Sequence, residues 1–335
     1  MRLLYPEKSR NMNDIMVSVC CAAFNHARYI DQAMESFLSQ RTGFDFEIIV
    51  HDDASADGTA EAILRWQARY PEKIHAIIQT ENQYSKGVSI IDNMLAHARG
   101  KYIAVCEGDD YWTSAEKLEK QVRYMEAHQD CSLCVHASTL VDADGKTTGM
   151  LRRYRHNCMV DMQDILAMGG RLAATSSYLY PTALRRDALP AFCRLIPGVG
   201  DNSLQMYLAT RGHVYYISEP LSCYRRGHAG SWTVRTYRAG ESERIAHLQA
   251  SIHMYRAFDE YTGLRWHEAV QAAVTAKEID ILQAEHNFSA LFRPPYGRFF
   301  RTLGLGKQLK ICARCIVFKI APNYYRKLIC RGKIV

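Results

Sequence analysis

The chain has 335 residues, 48% of them hydrophobic, enough for one large globular domain plus an appendage, which excludes a disordered or fibrous protein. Its formal charge of +7 is unevenly placed: eleven of the 42 Lys and Arg, but none of the 35 Asp and Glu, follow Glu285. The rest of the chain carries 31 basic against 35 acidic residues, so a nucleic-acid-binding body is not indicated.

From Met16 short β-rich runs alternate with amphipathic stretches. MVSVCCAA is followed by YIDQAMESFLSQR, FEIIVHD by GTAEAILRWQARY, KIHAIIQ by SIIDNMLAHARG, and KYIAVC by AEKLEKQVRYMEAH, with CSLCVHAS closing the series. This alternation predicts a parallel sheet with helices on both faces. Beyond about residue 139 the pattern loosens. VDADGK reads as a turn between two strands, ATSSYLYPTALRRD as a strand leading into a helix, and GDNSLQMYLATRG as a helix ending at Gly212. HVYYIS is strand-like and SCYRRGHAGSW reads as a loop. Helical periodicity dominates from about Ala239 to His286, and a basic tail closes the chain.

Eleven cysteines, including the adjacent Cys20 and Cys21, are scattered through these elements in a way that fits reduced thiols rather than a disulfide framework. Two CxxC pairs exist, Cys131/Cys134 and Cys312/Cys315. The first lies in a strand-like run where alternate side chains face opposite ways, which argues against a shared zinc site. The sequence holds no run of 18 apolar residues, and MRLLYPEKSRNMND lacks the apolar core of a secretory signal. The expectation is a protein made and kept in the cytoplasm.

An open α/β sheet binds ligands outside the carboxyl ends of its strands, where the strand order reverses. The polar residues there are Asn25 and His26 after the first strand, Asp52, Asp53 and Ser55 after the second, and Glu107, Asp109 and Asp110 after the fourth. In VHDDASADGT, Asp57 or Ser55 serves as the cap of a helix opening near Thr59. Two adjacent Asp residues are more than a cap needs. At the sheet edge Asp53 can accept from an imide N–H, which uracil and thymine present and cytosine does not. VCEGDDYW gathers three carboxylates into a hard-oxygen site suited to Mg2+ or Mn2+. Downstream, Asp201 is suited to proton removal, and Arg225, Arg226 and His228 form a cationic cluster for phosphate oxygens.

These elements together resemble the inverting family 2 glycosyltransferases of the GT-A fold. The resemblance runs from about Val17 to Trp232 and rests on VSVCCAAFNHARYIDQAMESFLSQ, EIIVHDDASADGT, DNMLAHARGKYIAVCEGDDYW, the GD at 200–201 and YRRGHAGSW, in that order. It implies a GT-A mixed sheet, doubly wound, with a nucleotide-binding half at 16–138 and an acceptor half at 139–236. Residues 1–15 would be an N-terminal extension, 237–292 a helical extension and 293–335 a basic amphipathic tail. It implies that Asp53 pairs with the base of a UDP-type donor, possibly a dTDP sugar, with Asp52 supporting the turn. Phe24, Asn25 and Asn93 join that nucleotide-binding set, together with Asp109, Arg225 and Arg226. Asp109, Asp110 and His228 fall on the metal and phosphate site, and Asp201 on the catalytic base. Two positions depart from the family's pattern: Glu107 stands where Asp is usual, and Phe24 replaces a Tyr before Asn25.

A nucleotide-dependent dehydrogenase shares the architecture, but FNHARYI after the first strand contains no G-x-G-x-x-G. A nucleotidyltransferase would want a glycine-rich basic loop there. A degenerate sugar-nucleotide binder or scaffold would be expected to have lost one of Asp53, Asp109, Asp110 and Asp201, all of which are present. The acceptor is expected to be a glycan or glycolipid, chosen by loops such as 139–180 and by Trp112 and Trp232. In the tail, 306–322 is predicted as a helix with Leu309, Cys312, Ile316 and Ile320 on one side and Lys307, Lys310 and Arg314 opposite. Ile311 and Phe318 fall toward the polar side. Its positive charge points to an anionic membrane surface, with the enzyme lying peripherally on the inner face.

Overall fold

A computed structural model of the chain describes residues 15–186, 188–196, 200–227 and 240–321. The first elements follow the predicted alternation: β1 (Val17–Ala23), α1 (Ile30–Leu38), β2 (Phe46–Asp52), α2 (Thr59–Arg69), β3 (Ile74–Ile78), α3 (Ile90–Leu95) and β4 (Tyr102–Val105). Next come β5 (Tyr111–Trp112), α4 (Lys117–Ala127), β6 (Cys131–Val141), β7 (Thr147–Leu151), β8 (Cys158–Val160), α5 (Met162–Met168), β9 (Leu179–Pro181), α6 (Asp201–Arg211) and β10 (His213–Arg225). Among the described residues four helices follow: α7 (Glu241–Tyr261), α8 (His267–Ala284), α9 (Tyr296–Thr302) and α10 (Leu305–Ile320).

Among the described residues all ten strands form one mixed sheet, with the path β3-β2-β1-β4-β9-β6-β10-β5 and with β7 and β8 attached to β6 and β10. β1 pairs in parallel with both β2 and β4, so the strand order reverses between β1 and β4. That reversal opens a crevice at their carboxyl ends, where Phe24, Asn25 and Glu107 sit. The sheet is covered on both faces because successive side chains of each strand point opposite ways. Val17, Val19, Cys21, Ile48 and Val50 pack with Met34, Phe37, Ile63 and Val122 from α1, α2 and α4. Cys20, Ile49, Ile103 and Val135 pack on the other face with Leu166, Met206, Leu208, Tyr255 and Phe258.

The helical extension is thus part of the main core: Met254, Tyr255 and Phe258 of α7 and Val270 and Val274 of α8 are buried in the same cluster as the sheet strands. Two local expectations are corrected. ATSSYLYPTALRRD forms a three-residue strand flanked by short 3-10 turns, not a strand and a helix. β8 and α5, too short to show a period, were not foreseen. SCYR, at the start of the expected loop, is strand, because β10 runs for 13 residues to Arg225, held by β6 and β5.

Candidate active site

The loops after β1 and β2 are tied into one unit. The backbone N–H of Asn25 donates to Ser55 Oγ at 2.8 Å, and Asn25 Oδ1 accepts from the N–H of Ala56 at 3.0 Å. Asn25 has φ 55°, a left-handed conformation that Asn tolerates better than most residues. Asp52 is fully buried and accepts from the N–H and hydroxyl of Ser55, at 3.0 and 2.5 Å. It therefore supports the turn. Asp57 accepts from the N–H groups of Ala27 and Thr59, at 3.0 and 3.1 Å, so it staples the two loops as well as the helix start. Phe24 leaves 40% of its surface exposed at the mouth of the crevice.

Asp53 is nearly buried, and each of its carboxylate oxygens takes a backbone N–H from the segment between β3 and α3, Gln83 at 2.7 Å and Tyr84 at 3.1 Å. The side chain of Asn82 donates to the Asp53 carbonyl at 3.1 Å. Asp53 thus anchors a covering loop at the sheet edge. Asn93 lies half-buried on α3, directly beyond that loop.

The acidic run continues along the end of β1, with Gly108 donating its N–H to the Ala22 carbonyl at 2.8 Å. A Cβ at Gly108 would press against the side chains of His26 and Ile30 at 3.0 Å, so glycine lets the run lie close without displacing them. Both carboxylate oxygens of Glu107 lie 2.8 Å from Thr175 Oγ1. Burial, then the charge of Asp109 and more weakly that of Asp201, push the Glu107 carboxyl up to about 7. Asp109 reaches the crevice, with 15% of its side chain exposed and Oδ2 3.9 Å from His26 Nε2.

Asp110 is turned inward. It is 1% exposed, its Oδ1 accepts the Arg225 N–H at 2.8 Å, and its Oδ2 is buried without a hydrogen-bond partner. Burial, with Asp109 and Glu107 nearby, holds its carboxyl well above the usual range. The two residues expected to share an ion therefore face different environments.

Asp201 is the first residue of α6, and its Oδ1 accepts the N–H of Asn202 at 2.8 Å. Burial raises its carboxyl, and its charge is felt at Glu107 and Tyr178, so the fold brings it to the acidic run from nearly a hundred residues away. A carboxylate made more basic by burial is suited to accept a proton.

The arginines separate. The Arg225 guanidinium is buried and donates to the carbonyls of Asp109, Asp142 and Ala143 and to Gln32 Oε1, all within 3.2 Å. These bonds commit four of its five N–H groups to holding the acidic turn against the β6–β7 hairpin. Arg226 is exposed, and its backbone N–H donates to the Val141 carbonyl at 2.9 Å. His228 and Trp232 lie outside the described residues. Trp112, expected to face an acceptor, is instead core: it is 4% exposed, its indole N–H donates to the Ser176 carbonyl at 2.9 Å, and its ring lies 4.7 Å from that of Phe37. Sequence reasoning missed Thr175, which sits in an aperiodic stretch with no signal to single it out.

Among the described residues no cluster of three or more His, Cys, Asp or Glu side chains is arranged to hold a metal ion by itself. Asp109, which reaches the crevice with Glu107 beside it, fits an ion shared with a phosphorylated ligand.

The site is thus a doubly wound sheet with acidic residues at its strand-order reversal and Asp201 brought within electrostatic reach of them. The profile of Glycosyl transferase family 2 matches residues 18–168. A UDP-Glc:alpha-D-GlcNAc-diphosphoundecaprenol beta-1,3-glucosyltransferase, WfaP of Escherichia coli, is 37% identical over 67% of this chain and 82% of its own length. The uncharacterized protein Rv1520 of Mycobacterium tuberculosis is 32% identical over 78% of this chain and 73% of its own. Among solved structures, Staphylococcus aureus TarS in complex with UDP superposes with a TM-score of 0.54 at 14% identity, covering 95% of this chain and 89% of that one. The mannosyltransferase PcManGT of Pyrobaculum calidifontis, in complex with GDP-Man and Mn2+, gives 0.54 at 15% identity over 96% and 85%. The chain belongs to glycosyltransferase family 2 and has the GT-A fold.

Proposed function

We propose that the protein is an inverting, metal-dependent glycosyltransferase that moves a sugar from a UDP-type nucleotide sugar, possibly dTDP-linked, to a hydroxyl of a lipid-linked or cell-surface polysaccharide precursor. The observation that carries this reading is Asp201, basic through burial and electrostatically coupled to Glu107 at the strand-order reversal. The donor base lies near Phe24 and Asp53, and the diphosphate lies over Asp109 with Arg226 at the exposed rim. A divalent ion, Mn2+ or Mg2+, would be held by Asp109 with Glu107 beside it, and when bound it supplies positive charge to the departing diphosphate.

Asp201 accepts the proton of the acceptor hydroxyl as that oxygen bonds to the anomeric carbon and the bond from that carbon to the diphosphate breaks. One displacement inverts the configuration. The lipid-linked acceptor of WfaP supports an acceptor of the same class, presented to the enzyme at the cytoplasmic face of a membrane.

Asp201→Asn should retain UDP binding and lose transfer by roughly 10²–10⁴, the usual value of general-base help. The assay is a screen of nucleotide sugars with Mn2+ present, followed by NMR of the product's anomeric configuration. Near-normal turnover in the variant, or a product of retained configuration, removes the assignment.

A further inference from the structure

Helix α10 packs on the protein by one face and leaves a second apolar face in solvent. Ile311 and Cys315 are buried, Phe318 stacks on His286 with ring centroids 4.3 Å apart, and Arg314 donates to Gln283 Oε1 at 3.0 Å. These residues fix the helix against α8 and the turn that follows it. At 3.6 residues per turn, Leu305, Leu309, Ile316 and Ile320 fall on one stripe on a different side of the helix. They are 77%, 68%, 56% and 78% exposed. Four large aliphatic side chains in one exposed row are not what an ordinary packed surface helix presents. The sequence-predicted partition is therefore only half right: Leu309, Ile316 and Ile320 do share a side, but the buried face is built on Ile311 and Phe318.

Charge identifies the occupant. Lys310 and Lys319 are exposed on opposite flanks of the stripe, and exposed Arg293, Arg298 and Arg301 lie on the segment leading into it. No Asp or Glu follows Glu285. A second copy of the chain would bring its own lysines against these, whereas an anionic lipid surface receives the aliphatic row and complements its flanks. No helix among the described residues is long and apolar enough to cross a membrane, so the geometry is that of a helix lying in the interface.

We infer that the outward face of α10 is a docking surface for an anionic membrane, with Leu305, Leu309, Ile316 and Ile320 entering the headgroup boundary and Lys310 and Lys319 contacting lipid phosphates. The assignment rests on the reading that the acceptor is carried by a lipid. The test is co-sedimentation of the full chain with vesicles of phosphatidylcholine containing phosphatidylglycerol, beside vesicles of phosphatidylcholine alone. Wild type should bind the anionic vesicles, and Leu309→Glu with Ile316→Glu should reduce that binding by about tenfold or more. These positions are exposed, so the variant should keep its melting temperature and UDP binding.

Asp201→Asn, which bears on catalysis alone, should bind vesicles as wild type does, so the two readings fail separately. Equal binding to neutral vesicles overturns the anionic assignment. Absence of vesicle binding, with wild type dimeric by light scattering and the double variant monomeric, shows that a second copy covers the stripe and overturns it too.

Discussion

Lys117 opens α4 with its ammonium buried 4.1 Å from the centroid of the Trp112 ring and with no hydrogen-bond partner among the described residues. Burial pushes it down from 10.5 to about 7, only partly offset by the thiols of Cys106 and Cys134, and nearby His136 is held neutral by its own burial. Because the folded chain disfavours the ammonium, the unfolded chain binds one more proton between pH 7 and 10.5, and stability climbs with pH across that window. Below pH 7 both states are protonated and the cost is fully present. Lys117→Met, which keeps length and removes charge, should raise the melting temperature at pH 6 and flatten the rise between pH 7 and 10, a change of about 2–4 kcal/mol. A lower melting temperature at pH 6 would mean that the contact of the cation with Trp112 outweighs its desolvation.

At the scale of elements, the segment between β3 and α3 is held to the sheet edge through the carboxylate of Asp53 and the N–H groups of Gln83 and Tyr84. A hydrogen bond to a charged acceptor is worth about 1.5–3 kcal/mol, so Asp53→Ala should unlatch the loop. Amide exchange at residues 83 and 84 should quicken by roughly tenfold or more, while the strands keep their protection. If Asp53 also receives the imide N–H of the donor base, UDP should compete better than CDP in wild type and lose that advantage in Asp53→Ala. Unchanged exchange removes the latch, and equal inhibition of wild type by the two nucleotides removes Asp53 from the base site. β10 teaches a related lesson: as the end of a 13-residue strand, Arg225 is drawn under the acidic turn and becomes a strap.

At the scale of the whole molecule, one sheet spans the strands expected of both halves, and α7 and α8 close its face. The acidic run, Thr175 and Asp201 meet at its reversal point although they are far apart in the chain. With carboxylates gathered there and the Arg225 guanidinium committed to carbonyls and to Gln32, the diphosphate leaving group of the proposed reaction would call on another cation. Transfer should vanish in EDTA and return with Mn2+ or Mg2+, while the melting temperature of the protein without donor moves little. Full activity in chelator would leave Arg226 and the basic residues that follow it in the sequence as the sufficient cations.

The alternation of strands and helices from β1 to β6 was legible because each element carries its own hydrophobic period, 2 or 3.6, and its own turn residues. The carboxylates of Asp52, Asp53, Glu107 and Asp109 were legible as candidates because they end apolar runs, and strand ends are where such sheets bind ligands. Neither signal says which way a side chain points once strands distant in sequence pair. The antiparallel insertion of β9 between β4 and β6, the length of β10 and the packing of α7 on the sheet depend on partners more than thirty residues away. Those pairings turned Asp110 and Trp112 inward, consumed Arg225 and brought Thr175 to Glu107. α8 and the turn after it decided which face of α10 was buried, because periodicity ranks the faces of a helix by polarity and only a packed neighbour selects among them.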